Sequence, residues 1–91
     1  WTLPRRYAQG VKYLVKDQLT PGNELYFIRP ENNLLDGQTM LLKTPEGYTV
    51  KKIYFQDGKI RLYHPNNQFF AEFFPQQLRP LGIAIRKITD V

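Results

Sequence analysis

Apolar and polar residues alternate in short stretches along most of the chain. Successive side chains of a β-strand point to opposite faces, so this period of two predicts strands. Proline, glycine, asparagine and aspartate separate the stretches and are typical of turns. Strands are predicted over residues 11–16, 24–29, 38–43, 48–56, 59–64, 69–74 and 81–88. With no stretch of helical period, the pattern predicts an all-β domain of roughly seven short strands, as a sandwich or a partly open barrel.

The Asp57-Gly58 pair is the strongest turn signal in the sequence. An Asp-Gly pair between two alternating segments is typical of a two-residue β-hairpin. In the strand that follows, Ile60 and Leu62 are expected to face the core. The two strands on either side of this pair should therefore be neighbours in the sheet.

The strand predicted at 48–56 carries two adjacent lysines. Lys51 falls on the face shared by Thr49 and Ile53, which is otherwise becoming apolar, and Lys52 falls on the opposite face. A lysine directed at an apolar surface either extends its stem across that surface to water, or loses its proton more readily and can act as a base. The environment of Lys51 therefore separates a structural role from a catalytic one.

The segment 69–74 holds more aromatic rings than one core face can take. Alternation places Phe69 and Phe73 on one side and Phe70 and Phe74 on the other. Exposed apolar patches usually mark contacts between molecules. An interface between copies of the chain is therefore predicted at Phe69, Phe70, Phe73, Phe74, Ile83 and Ile85.

The last predicted strand alternates cleanly. Leu81, Ile83 and Ile85 are expected on its inner face. Gly82 and Ala84, which are small residues on the other face, predict that another segment approaches closely there.

The composition is that of one small folded domain with a basic balance. Its 91 residues include 13 Lys or Arg and 8 Asp or Glu, which gives a net charge of +5. Such a balance favours acidic partners, although a solvated surface also explains it. Exposed aromatic residues interleaved with basic ones would suit a small barrel that binds single-stranded nucleic acid. The residues that could supply this are Tyr54, Tyr63, Lys52 and Arg61.

Several classes of site are disfavoured by composition. The chain has no cysteine and one histidine, His64, so we expect no disulfide, no metal and no cofactor. His64, beside a proline, is interpreted as a turn residue without a partner. No apolar run approaches the roughly 18–20 residues of a membrane span, and no signal peptide is evident. We therefore expect a cytoplasmic protein without a membrane partner.

Four segments follow one another in a recognisable order: LDGQ at 35–38, TVKKI at 49–53, LYHPNNQF at 62–69 and LGIAI at 81–85. In that order they resemble the C-terminal domain of the LexA, UmuD and phage CI-type repressors. These proteins belong to a clan of self-cleaving peptidases related to signal peptidases. The resemblance runs from Lys12 onward, and its closing strand is altered in register.

The resemblance implies specific roles for residues of this chain. Such peptidases use a serine nucleophile and a lysine that is neutral because it is buried. Lys51 matches the position of that general base. The G-x-S-M motif of the family would fall on residues 17–20, which places Leu19 at the serine position, and leucine cannot attack a carbonyl. Thr20 is the nearest hydroxyl and the remaining candidate nucleophile.

The resemblance therefore implies that residues 1–91 are one C-terminal dimerisation or peptidase-like domain of a transcriptional repressor that has lost self-cleavage. Residues 1–10 are predicted as a connector, and DNA would be bound through an N-terminal domain outside this fragment. The first alternative is an active Ser/Thr–Lys self-cleaving peptidase that uses Thr20 and Lys51. The second is a small β-barrel module that binds nucleic acid. Without a nucleophile, the head of Lys51 is expected to reach water.

Overall fold

A computed structural model describes residues 13–20 and 24–88. The strands are β1 (Tyr13–Val15), β2 (Leu25–Pro30), β3 (Thr39–Thr44), β4 (Gly47–Gln56), β5 (Lys59–Tyr63), β6 (Phe69–Phe73) and β7 (Arg79–Ile88), and a 3₁₀ turn at Pro75–Gln77 precedes the last. The prediction of an all-β fold with seven strands is confirmed. The predicted connector at 1–10 and the turn residues 21–23 lie outside the described residues.

The seven strands form one antiparallel sheet in the order β1-β2-β7-β3-β4-β5-β6. The β4–β5 hairpin turns at Asp57 and Gly58, whose φ angles are 52° and 78°. Positive φ at both central residues is what a type I′ turn requires. Ile60 and Leu62 are buried, as the alternation predicts.

The core has two clusters, on opposite faces of β3 and β4. Met40 and Leu42 point to one face and Leu41 to the other, because alternate residues of a strand diverge. The first cluster contains Met40, Leu42, Ile53, Ile60, Leu62, Leu78 and Ile83. The second contains Tyr26, Ile28, Leu41 and Val50. A flat sheet would leave one of these faces in water. The sheet therefore has to curl so that its other strands and loops cover both faces of β3 and β4.

The loop after β1 completes that curl by pairing with β4. Strand β5 pairs with β4 only from Lys52 to Gln56, which leaves the preceding edge of β4 open. Gln18 fills this edge: its backbone N–H donates to the Tyr48 carbonyl at 3.3 Å, and its side-chain Oε1 accepts from the Tyr48 N–H at 3.0 Å. Two segments separated by three intervening strands are thereby joined, as in a partly open barrel.

A bulge in β6 changes the predicted placement of its rings. The register against β5 shifts between Leu62 and Tyr63, so the strict alternation predicted for this strand is wrong. Phe70 and Phe73 both pack against the first core cluster. Phe69 and Phe74 are 50% and 49% exposed.

A bulge also affects the end of β7. The pairing with β2 shifts between Phe27 and Ile28, and Ile85 is the residue of β7 that the shift leaves without a partner in β2. Ile85 is 38% exposed, so the prediction that it faces inward is wrong. Ile83, which was also predicted at the intermolecular surface, belongs to the first core cluster.

The close approach predicted at the glycine of β7 is confirmed. A Cβ atom at Gly82 would clash with Cγ2 of Ile28 and would lie 2.7 Å from the Arg29 carbonyl oxygen. Only glycine allows β2 to lie this close to β7.

Candidate functional site

Lys51 is completely buried, at 0% exposure. Its Nζ donates to Oδ2 of Asp17 at 2.6 Å, and to Oγ1 of Thr20 and Oγ1 of Thr49 at 2.7 Å each. An ammonium group has three protons to donate, and these three oxygens match them. The prediction that the head of Lys51 reaches water is therefore wrong.

The placement of Lys51 follows from the register of β4. Lys51 lies opposite Met40 of β3, so its stem leaves the strand on the face of the first core cluster. The ring of Phe70 lies 4.6 Å from Nζ and adds a cation–π contact. A buried charge is tolerated only when it is paired and hydrogen-bonded. The loop after β1 supplies that pairing through Asp17.

Asp17 is the centre of the hydrogen-bond network. Its carboxylate accepts from the backbone N–H groups of Leu19 at 2.9 Å and Val50 at 3.0 Å. The Thr49 hydroxyl lies 2.9 Å from each carboxylate oxygen. Burial alone would raise the pKa of Asp17, but the hydrogen bonds from Lys51, Val50, Leu19 and Thr49 outweigh it and lower the pKa below 3.8. Asp17 is therefore held as a carboxylate.

The sequence reasoning did not identify Asp17 as the partner of Lys51. The pattern placed Lys51 on an apolar face, and a lysine is almost never fully buried unless it is paired. That rule requires an acid near Lys51 but does not say which of the 8 acidic residues it is. The contact spans 34 residues of sequence, so only the curl of the sheet identifies the pair.

The structure brings the two predicted catalytic residues into contact. The Nζ of Lys51 lies 2.7 Å from the Thr20 hydroxyl oxygen. Leu19, at the expected serine position, lies beside Gly47 instead. In the ion pair with Asp17, Lys51 donates a hydrogen bond to Thr20. A general base has to accept the proton, so Lys51 would first have to lose one of its own.

A cleft of about 250 Å³ opens beside this network. Its lining residues are Lys16, Asp17, Thr20, Glu24, Tyr26, Lys51, His64, Pro65, Asn66, Gln68 and Lys87. His64 packs edge-on against Phe70 with ring centroids 5.2 Å apart, so the interpretation of His64 as a residue without a partner is wrong. Burial lowers the pKa of His64. The positive charge of Lys51 also lowers this pKa, whereas the negative charge of Asp17 raises it.

A second group of predicted residues lies on the opposite face of β4, β5 and β6. The rings of Tyr54, Tyr63 and Phe69 form an edge-to-face row with centroid distances of 5.4 and 5.6 Å. Lys52 lies over Tyr54 at 5.5 Å, and Arg61 lies over Phe69 at 4.7 Å. We call these five residues the aromatic–basic surface. Phe69 was assigned to a different surface in the sequence analysis, because the bulge in β6 is not visible in the pattern.

Within residues 13–20 and 24–88, no group of three or more His, Cys, Asp or Glu side chains could hold a metal ion. Over the same part of the chain, no helix has the length and apolar character to cross a membrane.

No family model matches the chain, and no curated protein matches its sequence. The resemblance to LexA-type repressor domains therefore stays a prediction that depends on four sequence segments.

Proposed function

We propose that this chain is the self-association domain of a cytoplasmic transcriptional regulator similar to the LexA and phage CI-type repressors, and that it does not cleave itself. The single observation that carries the proposal is the buried ion pair of Lys51 with Asp17, at 2.6 Å. DNA would be bound through a separate N-terminal domain. Pairing two such domains lets two half-sites be engaged together and raises the effective concentration of the second.

The ion pair supports a structural role for the lysine of the TVKKI segment. The Nζ of Lys51 lies within hydrogen-bonding distance of side-chain oxygens of Asp17, Thr20 and Thr49, and 3.3 Å from the Val50 carbonyl. The same carboxylate accepts from the backbone of Val50, so the pair connects the loop after β1 to β4. In this reading Lys51 stabilises the closed sheet, and proton transfer is not its task.

Two exposed apolar side chains, one beside an edge strand and one at a β-bulge, support self-association. Phe74 directly follows β6, which is an edge of the sheet, and Ile85 lies at the bulge of β7. An edge strand offers unpaired N–H and C=O groups to a second chain. A second copy could use this edge together with these side chains. Phe70, Phe73 and Ile83, which belong to or pack against the core, would support such a surface from below.

Light scattering across a protein concentration series tests the proposal. We expect a dimer or a higher oligomer. In Phe74→Ser and in Ile85→Ser, the oligomer should dissociate at higher protein concentrations than it does in the unchanged protein. Phe55→Ser is the matched control, since Phe55 is 48% exposed and lies on β4. A strict monomer at high micromolar concentration would contradict the proposal.

One observation favours the peptidase alternative, namely the 2.7 Å contact between Lys51 and Thr20. If Thr20 is a nucleophile, the whole protein should yield two fragments when it is incubated at alkaline pH. Thr20→Val should abolish the cleavage, whereas Thr39→Val, a half-buried threonine of β3, should not. Protein that stays intact at every pH would exclude this alternative.

A further inference from the structure

The aromatic–basic surface is a second feature of the molecule, separate from the Lys51 network. Phe69 is 50% exposed and Tyr54 is 37% exposed, so both rings are open to a ligand. Tyr63 lies directly opposite Phe69 in the β5–β6 pairing and joins the two rings into one row. Three rings on neighbouring strands therefore lie in one row of edge-to-face contacts at the surface.

The charges on this surface are placed around the rings. Arg61 lies over both Tyr63 and Phe69, at 5.8 and 4.7 Å, and Lys52 lies over Tyr54. The acid facing Arg61 across the β5–β6 pairing is Glu72, and its ion pair is with Lys59, at 3.6 Å. Among the described residues no carboxylate lies within ion-pairing distance of Arg61. The positive charge of Arg61 is thus available to a ligand.

Arg61 also has an unused donor. Its Nε atom is buried and has no hydrogen-bond partner within the described part of the chain. A buried donor without a partner is costly, and such groups call for an explanation. Because Nε is buried, a ligand at the surface would reach it only if the Arg61 side chain shifted.

We propose that the aromatic–basic surface binds single-stranded nucleic acid, with bases stacked on Tyr54, Tyr63 and Phe69 and phosphates held by Lys52 and Arg61. Every base has a flat face that can stack on an exposed ring, and the backbone supplies the negative charge that the two cations complement. The net charge of +5 acts in the same direction. This binding is independent of self-association.

A second copy of the chain is a poorer occupant of this surface. In a two-fold pairing of the surface with itself, Lys52 and Arg61 of one copy would face the same cations of the other. Like charges placed across an interface are unfavourable. A nucleic-acid strand offers the rings a flat apolar partner and offers the cations an opposite charge.

Fluorescence anisotropy with a labelled oligothymidine of about ten nucleotides, a length within the range of known single-strand sites, tests the proposal. We expect binding at low salt that weakens by about five- to hundredfold in Phe69→Ala, the range for loss of one stacked base. Phe55→Ala is the matched control, because Phe55 is an equally exposed ring on the opposite face of β4. It should bind as the unchanged protein does.

The charges are tested by the salt dependence. Arg61→Gln should reduce the slope of log affinity against log salt by about 1, the effect of losing one phosphate contact. Lys43→Gln, which removes a lysine over the Tyr48 ring of another strand pair, should leave the slope unchanged. Thermal melting of each variant confirms that it is folded.

Four outcomes would overturn the proposal. The first is no binding at about 100 µM protein, the weak end of non-specific affinity. The second is an equal loss of affinity in Phe55→Ala. The third is equal binding of a double-stranded DNA of the same length, and the fourth is equally good competition by a poly-glutamate peptide. Phe74→Ser should bind the oligonucleotide normally. The two proposals can therefore fail separately. A protein that does not self-associate can still bind the oligonucleotide, and a protein that does not bind the oligonucleotide can still self-associate.

Discussion

Lys51 is the residue whose environment differs most from what its place in the sequence predicts, because it is completely buried. Lys51 lies where a catalytic base is expected from the resemblance, but its Nζ is ion-paired with Asp17 and hydrogen-bonded to two threonine hydroxyls. Position in the sequence and chemical environment therefore point to different roles. A buried pair of this kind holds its two segments in one arrangement, because either partner alone would be an uncompensated charge.

A double-mutant cycle measures the coupling of this pair. Asp17→Asn should lower the free energy of unfolding by about 3–5 kcal/mol, since it leaves the Lys51 ammonium buried and unpaired. Lys51→Met should also destabilise, and the double variant should cost less than the sum of the two. Urea denaturation gives the values.

The control cycle uses Glu72→Gln and Lys59→Met. That pair is 3.6 Å apart, and its side chains are 36% and 45% exposed. Solvent-screened pairs of this kind contribute about 0–1 kcal/mol. Strictly additive effects at Asp17 and Lys51 would show that the two charges are not coupled.

The lowered pKa of Asp17 predicts a specific acid sensitivity. A carboxylate whose pKa is lower in the folded protein than in the unfolded chain stabilises the fold at pH values above its unfolded pKa, near 3.8. This stabilisation is lost as the pH falls through the lower pKa of the folded protein. Urea midpoints measured from neutral to acidic pH should therefore fall more steeply below about pH 4 in the unchanged protein than in Asp17→Asn. Parallel curves would contradict this origin of the acid sensitivity.

At the scale of single strands, regular alternation was predictable and bulges were not. Ile60 and Leu62 are buried as the period of two requires. Phe70 and Ile85 depart from it, because each lies where one strand has an extra residue relative to its partner. Bulges depend on the neighbouring strand, so a single strand's sequence does not reveal them.

The tight contact between β2 and β7 predicts a cost for any side chain at Gly82. Gly82→Ala should lower the free energy of unfolding by about 1–3 kcal/mol, the usual cost of overpacking. Gly58→Asn is the contrast, because Gly58 has open space around it and a positive φ that asparagine tolerates. Thermal denaturation compares the two. A loss at Gly58 that equals the loss at Gly82 would exclude the steric explanation.

At the scale of the whole molecule, the sequence predicted the strands but not how the sheet closes. Turn residues such as Asp57 and Gly58 act locally, which is why the hairpin and the strand boundaries were predictable. The contacts of Asp17 and Gln18 with β4 span 30 or more residues, and no local pattern specifies them. The candidate site lies at this closure, so its lysine was predictable and its carboxylate was not.

Closure of the sheet by the loop after β1 can be tested at single amides. The Tyr48 N–H donates to the Gln18 side chain at 3.0 Å, so Gln18→Ala should speed its hydrogen exchange. The Ile53 N–H donates instead to the Gln38 carbonyl and should keep its protection. NMR-detected exchange resolves the two.

Gln77→Ala is the matched control, because Gln77 is another exposed glutamine whose Oε1 accepts from a backbone N–H, that of Phe74 at 2.8 Å. It should speed exchange at Phe74 and leave Tyr48 unchanged. If Gln18→Ala speeds exchange throughout β4, the loop supports the whole strand. If exchange at Tyr48 does not change, the sheet closes without this hydrogen bond, and the remaining contacts of the loop with β4, among them the ion pair of Lys51 and Asp17, hold it in place.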